Sequence, residues 1–286
     1  MRKPTKAIIT DAGYASRYLP IAKTIPKGML PIGNIPIMQL VVEECVAADI
    51  KEIIIVSTAE GKPIYEDYFN NAVNHVRKQL RGQGKEDRYD AVRHVLDFPK
   101  IRVIVQDPAL PYGNGSPIVS ARDYIADDEA FLALYSDDIV FGTSDAKSMV
   151  AAFEKNPDAK GVIMAQEVEA SVVDKYGIIS LKNGDKLDNI VEKPKVGKAP
   201  STLASYGRYL LTPEVFDYLL PKHTGLDDEL WTVDAITRMA ATGAVMVVKT
   251  EGEWMTTGDP KNYFLAHLKY VMDHEEYADA VRQAIV

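Results

Sequence analysis

Arg17 and Lys27, ten positions apart within IITDAGYASRYLPIAKTIPKGMLPIG (residues 8–33), form the first grouping able to do chemistry. An apolar run, Ala7–Ile9, stops at Thr10-Asp11. A loop of small residues (Ala12, Gly13, Ala15, Ser16) then carries the arginine toward a lysine set between Pro26 and Gly28. Backbone amides at the carboxyl end of a strand can face an anion, and two cations can hold its phosphate oxygens. The alternative is a tight turn with a surface arginine. A second grouping follows the apolar run Ala130–Tyr135, which ends in Ser136-Asp137-Asp138. Two acids there suit a Mg²⁺ ion held by one carboxylate and by substrate phosphates, because Mg²⁺ keeps waters and needs few protein ligands. A helix cap or loop turn is the other reading.

Two further stretches carry weaker signals. In GDKLDNIVEKPKVGKAP, Glu192 and Lys193 end an alternating strand stopped by Pro194. A lysine there can neutralise a sugar phosphate while the glutamate accepts sugar hydroxyls, or both can belong to a solvated turn. In QDPALPYGNGSP, Gln106 sits at a strand end before Gly113 and Gly115. An amide and exposed backbone can read a base edge, and a plain Pro/Gly loop is equally compatible. No HExxH, paired CxxC or GxSxG occurs, and the five histidines show no ligand spacing, so zinc chemistry and a hydrolase elbow are not expected.

These groups must be positioned by an alternating framework. Short β-branched runs recur at Lys6–Thr10, Glu52–Ser57, Ile101–Gln106, Ala130–Tyr135, Gly161–Ala165, Gly177–Leu181, Gly207–Leu211 and Ala244–Lys249, with helical patterns such as Ile37–Ala48 and Asp145–Lys155 between them. Strands buried on both faces and alternating with amphipathic helices predict an α/β three-layer fold around a largely parallel sheet. A charged helical excursion occupies residues 58–100, of the kind that lids a site or meets a partner, and the tail from Pro260 reads as one or two helices. With no repeat or linker to divide it, the chain is expected to be one domain over 1–286.

Composition narrows the function classes. The 286 residues are 47% hydrophobic and carry a net charge of −8. That balance lacks the basic stripe a nucleic-acid or anionic membrane surface would need, while a few local cations suffice for small anions. Cys45, the sole cysteine, lies on an apolar helical face and is expected to be a buried, inert thiol. With no intrachain disulfide, no leader pattern and no apolar run of membrane-spanning length, a cytoplasmic protein is expected.

Taken together, PIAKTIPKGMLPIGNIPIMQLVVEECVAADIKEIIIV, KYGIISL, IVEKPK, APSTLASYGRYLLTPEVFDYL and GDPKNYFLAHLKYVM, in this order and spacing, resemble the bacterial UTP–glucose-1-phosphate uridylyltransferases of the sugar nucleotidyltransferase superfamily. The resemblance covers nearly the whole chain. It implies a Rossmann-like nucleotidyltransferase fold with a central mixed, largely parallel sheet, and a homodimer or homotetramer. It also implies that a sugar phosphate oxygen attacks the α-phosphorus of UTP in line and expels pyrophosphate, with Mg²⁺ as cofactor. By the same resemblance Ala12 and Gly13 contact nucleotide through backbone, Arg17 holds the leaving phosphates, and Lys27 holds phosphates near the α-phosphorus. Gln106 and Gly113 read uracil and Asp137 binds Mg²⁺. Gly177, Glu192 and Lys193 bind the sugar phosphate, and Glu229 lies on the sugar side. Arg17, Lys27, Asp137 and Lys193 would thus be the catalytic set.

Several positions depart from the family pattern. A Gly-Thr before the arginine is Ala15-Ser16, and a small residue has become Asp11. Gly28 replaces the acidic residue that follows the lysine, and Ser116 with Pro117 stands where the base loop has Gly-His. A second metal carboxylate falls on Thr256, whose neutral oxygen gives a cation no charge compensation. An alternative is therefore an impaired relative that binds nucleotide or nucleotide sugar in a regulatory role, or an enzyme with another base or sugar. Asp11, entering near the same phosphates, is a candidate to supply the missing carboxylate.

Overall fold

The computed structural model describes residues 1–284. The chain opens with strand β1 (Arg2–Asp11), a short β2–β3 pair (Pro31–Ile32 and Ile35–Pro36) and helix α1 (Ile37–Ala47). Strand β4 (Glu52–Ser57) leads into α2 (Gly61–Asn70), α3 (Asn74–Gly82) and α4 (Asp90–Leu96), followed by β5 (Lys100–Val105) and α5 (Ser116–Ser120). Then come β6 (Glu129–Tyr135), β7 (Asp138–Phe141), α6 (Asp145–Lys155), β8 (Gly161–Glu167), β9 (Gly177–Lys182) and β10 (Lys186–Glu192). The chain continues with β11 (Leu203–Leu211), α7 (Thr232–Thr242), β12 (Val245–Lys249), β13 (Glu253–Thr256), α8 (Pro260–Asp273) and α9 (Glu275–Ala284). The expected runs end within four residues of these strands, and Glu52–Ser57 coincides with β4.

Nine strands form one sheet in the order β5-β4-β1-β6-β11-β8-β12-β10-β9. It is mixed, as the motifs imply. Parallel pairing is confined to β5–β4–β1–β6 and to β12–β8, and every other pairing in it is antiparallel. The largely parallel part is thus the N-terminal half. Strand β11 is buried at all nine positions yet runs against both neighbours, a direction that apolar composition cannot encode.

Period-two alternation splits the core into two layers. Ala7, Ile9, Ile53, Ile55, Leu132 and Leu134 pack on one face with Met38, Val42 and Cys45 of α1 and Met149 and Phe153 of α6. Ile8, Ile54, Phe131 and Ala133 pack on the other with Ile118 of α5 and Ile236 and Met239 of α7. This is the three-layer arrangement. Cys45 is fully buried, and that burial pushes its thiol pKa up. The excursion is not a detached lid, because Tyr65, Phe69 and Val95 are buried in the first layer. A separate antiparallel pair, β7–β13, registers Thr256 against Asp138.

Candidate active site

The carboxyl ends of β1 and β6 bring the first two groupings into contact. Lys27 opens a single helical turn after Pro26, and its Nζ lies 2.6 Å from Oδ2 of Asp137, just beyond β6. Burial alone would raise the Asp137 carboxyl, but the charge and hydrogen bond of Lys27 hold it below the ordinary carboxylate range. Burial alone would lower the Lys27 ammonium, but Asp137, Asp11 and Asp138 outweigh it and the pKa rises. The pair is therefore ionised at neutral pH. Asp138 points the other way: it accepts hydrogen bonds from Trp254 Nε1 at 2.7 Å and the Gly207 amide at 2.9 Å. Desolvation and the neighbouring Asp137 charge raise its pKa. Of the two acids, Asp137 faces the larger of two adjoining cavities, while Asp138, held by these donors, lines the smaller.

The β7–β13 register delivers Thr256 beside this pair. The carbonyl of Asp137 accepts from the Thr257 amide at 2.5 Å and its Oγ1 at 3.0 Å, with Thr256 Oγ1 at 3.4 Å. The Gly258 amide donates to Thr256 Oγ1, and Arg17 Nη1 reaches the Gly258 carbonyl at 3.3 Å. Thr256 thus stands next to Asp137.

Two adjoining cavities sort the remaining residues. The larger, about 780 Å³, is lined by Ala12, Gly13, Lys27, Gln106, Gly113, Asp137 and Glu229, within the size range of small-molecule sites. The smaller, about 290 Å³, is lined by Arg17, Gly177, Glu192 and Thr256 together with Asp138 and Trp254. Asn114, Tyr135 and Trp231 line both. Gly177 and Glu192 are directly opposed on β9 and β10, and a Cβ on Gly177 would lie 3.0 Å from the Glu192 carboxylate. Burial raises the Glu192 pKa, with Lys193 opposing.

Three expected residues stand apart from their expected neighbours. Arg17 lines the smaller cavity, away from Ala12 and Gly13. Glu229 lines the larger one, beside Gln106 and Gly113, away from Gly177 and Glu192. For Glu229 the cause is a seam: the Gly115 amide donates to the Leu230 carbonyl, the Leu230 amide to the Tyr112 carbonyl, and the Thr232 amide to Asn114 Oδ1. Gly113, at φ 131°, is pressed so close that a Cβ would lie 2.4 Å from the Leu230 carbonyl oxygen, so this seam needs glycine. Lys193 lines neither cavity; its side chain is 57% exposed, 3.8 Å from Glu192.

The departures have geometric correlates. Ala15 adopts the left-handed conformation (φ 48°, ψ 41°) despite its Cβ, at a cost of about 1–2 kcal/mol. Asp11 is buried and both of its oxygens accept hydroxyl hydrogen bonds, Oδ1 from Ser136 Oγ at 2.7 Å and Oδ2 from the Tyr65 hydroxyl. It is therefore built into a network rather than held free for a metal. Among the described residues no cluster of three or more His, Cys, Asp or Glu is arranged to hold an ion. Asp137 and the Thr256 hydroxyl nevertheless fit a hard divalent cation that takes its remaining ligands from phosphates and water, with one carboxylate instead of two.

Sequence reading missed Arg208 and Glu44, although an arginine inside an apolar strand signals a buried ion pair. Arg208 is fully buried and pairs with Glu44 at 2.9 Å. It also donates to the carbonyls of Tyr135, Gly207 and Asp138, which pins the segment carrying Asp137. Tyr135 and Trp231, shared by both cavities, carried no local signal.

Comparison with known proteins identifies the family. The profile of the family described as Nucleotidyl transferase matches residues 6–272. A UTP–glucose-1-phosphate uridylyltransferase 2 of Staphylococcus saprophyticus is 38% identical, covering 100% of this chain and 98% of that protein. A UTP–glucose-1-phosphate uridylyltransferase of Staphylococcus epidermidis is 37% identical over the same shares. The UTP-bound UGPase of Acinetobacter baumannii superposes with a TM-score of 0.86 at 28% identity, over 100% of this chain and 99% of that one. A UDP-glucose pyrophosphorylase complexed with UDP-glucose gives 0.80 at 29%, over 96% and 100%. The resemblance carried by the motifs thus holds over the full chain, and the protein is an enzyme that belongs to the nucleotidyl transferase family.

Proposed function

We propose that this enzyme transfers a uridylyl group from UTP to glucose 1-phosphate, giving UDP-glucose and pyrophosphate. The observation that carries the reading is the pair of adjoining cavities: Lys27 and Asp137 stand in one, Gly177 and Glu192 in the other, and Asn114, Tyr135 and Trp231 are shared. A two-substrate transfer needs two such compartments meeting at the reacting phosphorus. The names of the full-length relatives supply the substrates.

In this mechanism UTP lies over Ala12 and Gly13, with its base beside Gln106 and Gly113. The sugar phosphate lies against Gly177 and Glu192, with Lys193 at the rim. Its oxygen is already ionised, so no general base is required, and catalysis rests on alignment and charge neutralisation. Lys27 gives up its contact with Asp137 to hold phosphate oxygens near the α-phosphorus, and Arg17 must leave the Gly258 carbonyl and the smaller cavity to reach the departing pyrophosphate. A divalent cation on Asp137, Mg²⁺ in this reading, supplies further charge compensation when bound. No described helix is long and apolar enough to cross a membrane. We place the enzyme in the cytoplasm, as one domain and as a homodimer or homotetramer, since α8 exposes Phe264, Leu265 and Leu268.

The test is pyrophosphate release from UTP and glucose 1-phosphate with Mg²⁺, beside thermal shifts with nucleotides and nucleotide sugars. Turnover that vanishes in Asp137→Ala is expected. Stabilisation by UTP without turnover would replace the reading by a binding-only regulator, which the single carboxylate beside Thr256 favours. A response confined to another nucleotide would change the base.

A further inference from the structure

Among the described residues four buried side-chain hydroxyls have no hydrogen-bond partner: those of Tyr135, Ser205, Thr212 and Thr232. A buried hydroxyl left unpaired costs free energy, and native folds keep few of them. Two of the four, Ser205 and Tyr135, belong to residues that line the smaller cavity, where Gly177 and Glu192 stand.

Sheet register brings them there. Ser205 of β11 pairs with Gly177 of β9, and Gly177 pairs with Glu192 of β10, so the three form one row across three strands. Residues paired in this way project to the same face. Gly177 adds no side chain, which leaves a hydroxyl at one end of the row, a carboxylate at the other and bare backbone between. With neighbouring strands about 5 Å apart, the two ends are separated by at most about 10 Å. Tyr135 stands on the Ser205 side: its ring lies over Gly207, where a Cβ would be 2.3 Å from a ring carbon, and meets Tyr209 edge-on at 5.6 Å between centroids. Tyr209 is beside both hydroxyls, yet neither comes within hydrogen-bond distance of a partner. A neutral hydroxyl can donate and accept, which matches a sugar hydroxyl, whereas the Glu192 carboxylate only accepts.

We propose that Ser205 and Tyr135 are specificity-determining residues for the sugar. With the sugar ring seated over Gly177, Glu192 accepts from hydroxyls on one edge, and the Ser205 and Tyr135 hydroxyls bind a further hydroxyl on the opposite edge. The proposal rests on the sugar-side role given above to Gly177 and Glu192. It narrows the substrate class to sugar 1-phosphates that carry this hydroxyl. A site built to hydrogen-bond a hydroxyl rejects the analogue that lacks it, because its own buried groups then stay unpaired.

The test compares wild type, Ser205→Ala and Tyr135→Phe on glucose 1-phosphate and its 2-, 3-, 4- and 6-deoxy analogues, read as kcat/KM with UTP. Calorimetric Kd values for UDP-glucose and the four matching UDP-deoxyglucoses give a second reading that needs no turnover. One deoxy analogue is expected to be at least about fiftyfold worse than glucose in wild type, and each variant to shrink that penalty about tenfold while leaving the other three within about threefold. Ligand-free Tm is expected to hold or rise in both variants, since no hydrogen bond is lost, whereas a structural hydroxyl would lower it. Penalties unchanged by either variant, or all five sugars weakened alike, would overturn the inference. A variant-dependent Kd pattern without turnover removes uridylyl transfer and keeps the inference; turnover with an unaltered pattern does the reverse. Failure to bind any of the UDP-sugars overturns both.

Discussion

Thr256→Asp puts a second negative charge beside Asp137, and the structure sets the size of its effect. Thr256 Oγ1 and Asp137 Oδ2 each lie 3.3 Å from the point a Gly258 Cβ would take, so they are no more than twice that distance apart. Two unit charges at that spacing repel by about 2.5 kcal/mol at an effective dielectric near 20. Lys27, 2.6 Å from Asp137, offsets part of this. The metal-free variant should therefore lose about 1–2 kcal/mol, a fall in Tm of several degrees. A divalent cation between the two groups removes the repulsion, so affinity for Mg²⁺ with UTP should rise by about 2 kcal/mol, roughly thirtyfold. The assay is Tm in EDTA and across a Mg²⁺ titration at saturating UTP, with kcat measured in parallel and expected to rise. A variant as stable as wild type in EDTA, with an unchanged Mg²⁺ midpoint, would refute the claim that residues 137 and 256 share one cation.

Further outcomes follow from the same geometry. Arg208→Met leaves Glu44 buried without its charge partner and takes the guanidinium from three carbonyls, so urea unfolding should show a loss of about 3–5 kcal/mol; under 1 kcal/mol would mean the pair is dispensable. Gly113→Ala drives a methyl into the Leu230 carbonyl, which should displace Glu229 and Trp231 and raise KM for UTP more than for glucose 1-phosphate. Light scattering should show an oligomer that Phe264→Asp with Leu268→Asp converts to smaller species; a monomeric wild type would discard the α8 interface.

The local sequence determined most of the elements. β-branched runs and their alternation are near-neighbour properties, and they located the eight principal strands, the α/β class and helices such as α6 without tertiary information. Motif order located Lys27 and Asp137 as well, since each ends a strand-loop unit readable in isolation. What only the tertiary structure decided is which groups face each other. Asp137 and Asp138 are adjacent and chemically alike, and Trp254 and Gly207, far along the chain, hold Asp138 at the smaller cavity and leave Asp137 to the larger. Thr256 meets this pair through the register of β7 and β13. Glu229 joins the larger cavity because its loop is sewn to Gly113–Gly115. Asp11 faces hydroxyls from α2 and the end of β6 instead of solvent. Each of these contacts joins segments dozens to more than a hundred residues apart. It is settled by sheet register, strand direction and loop packing for the whole chain at once, which no local window of residues contains.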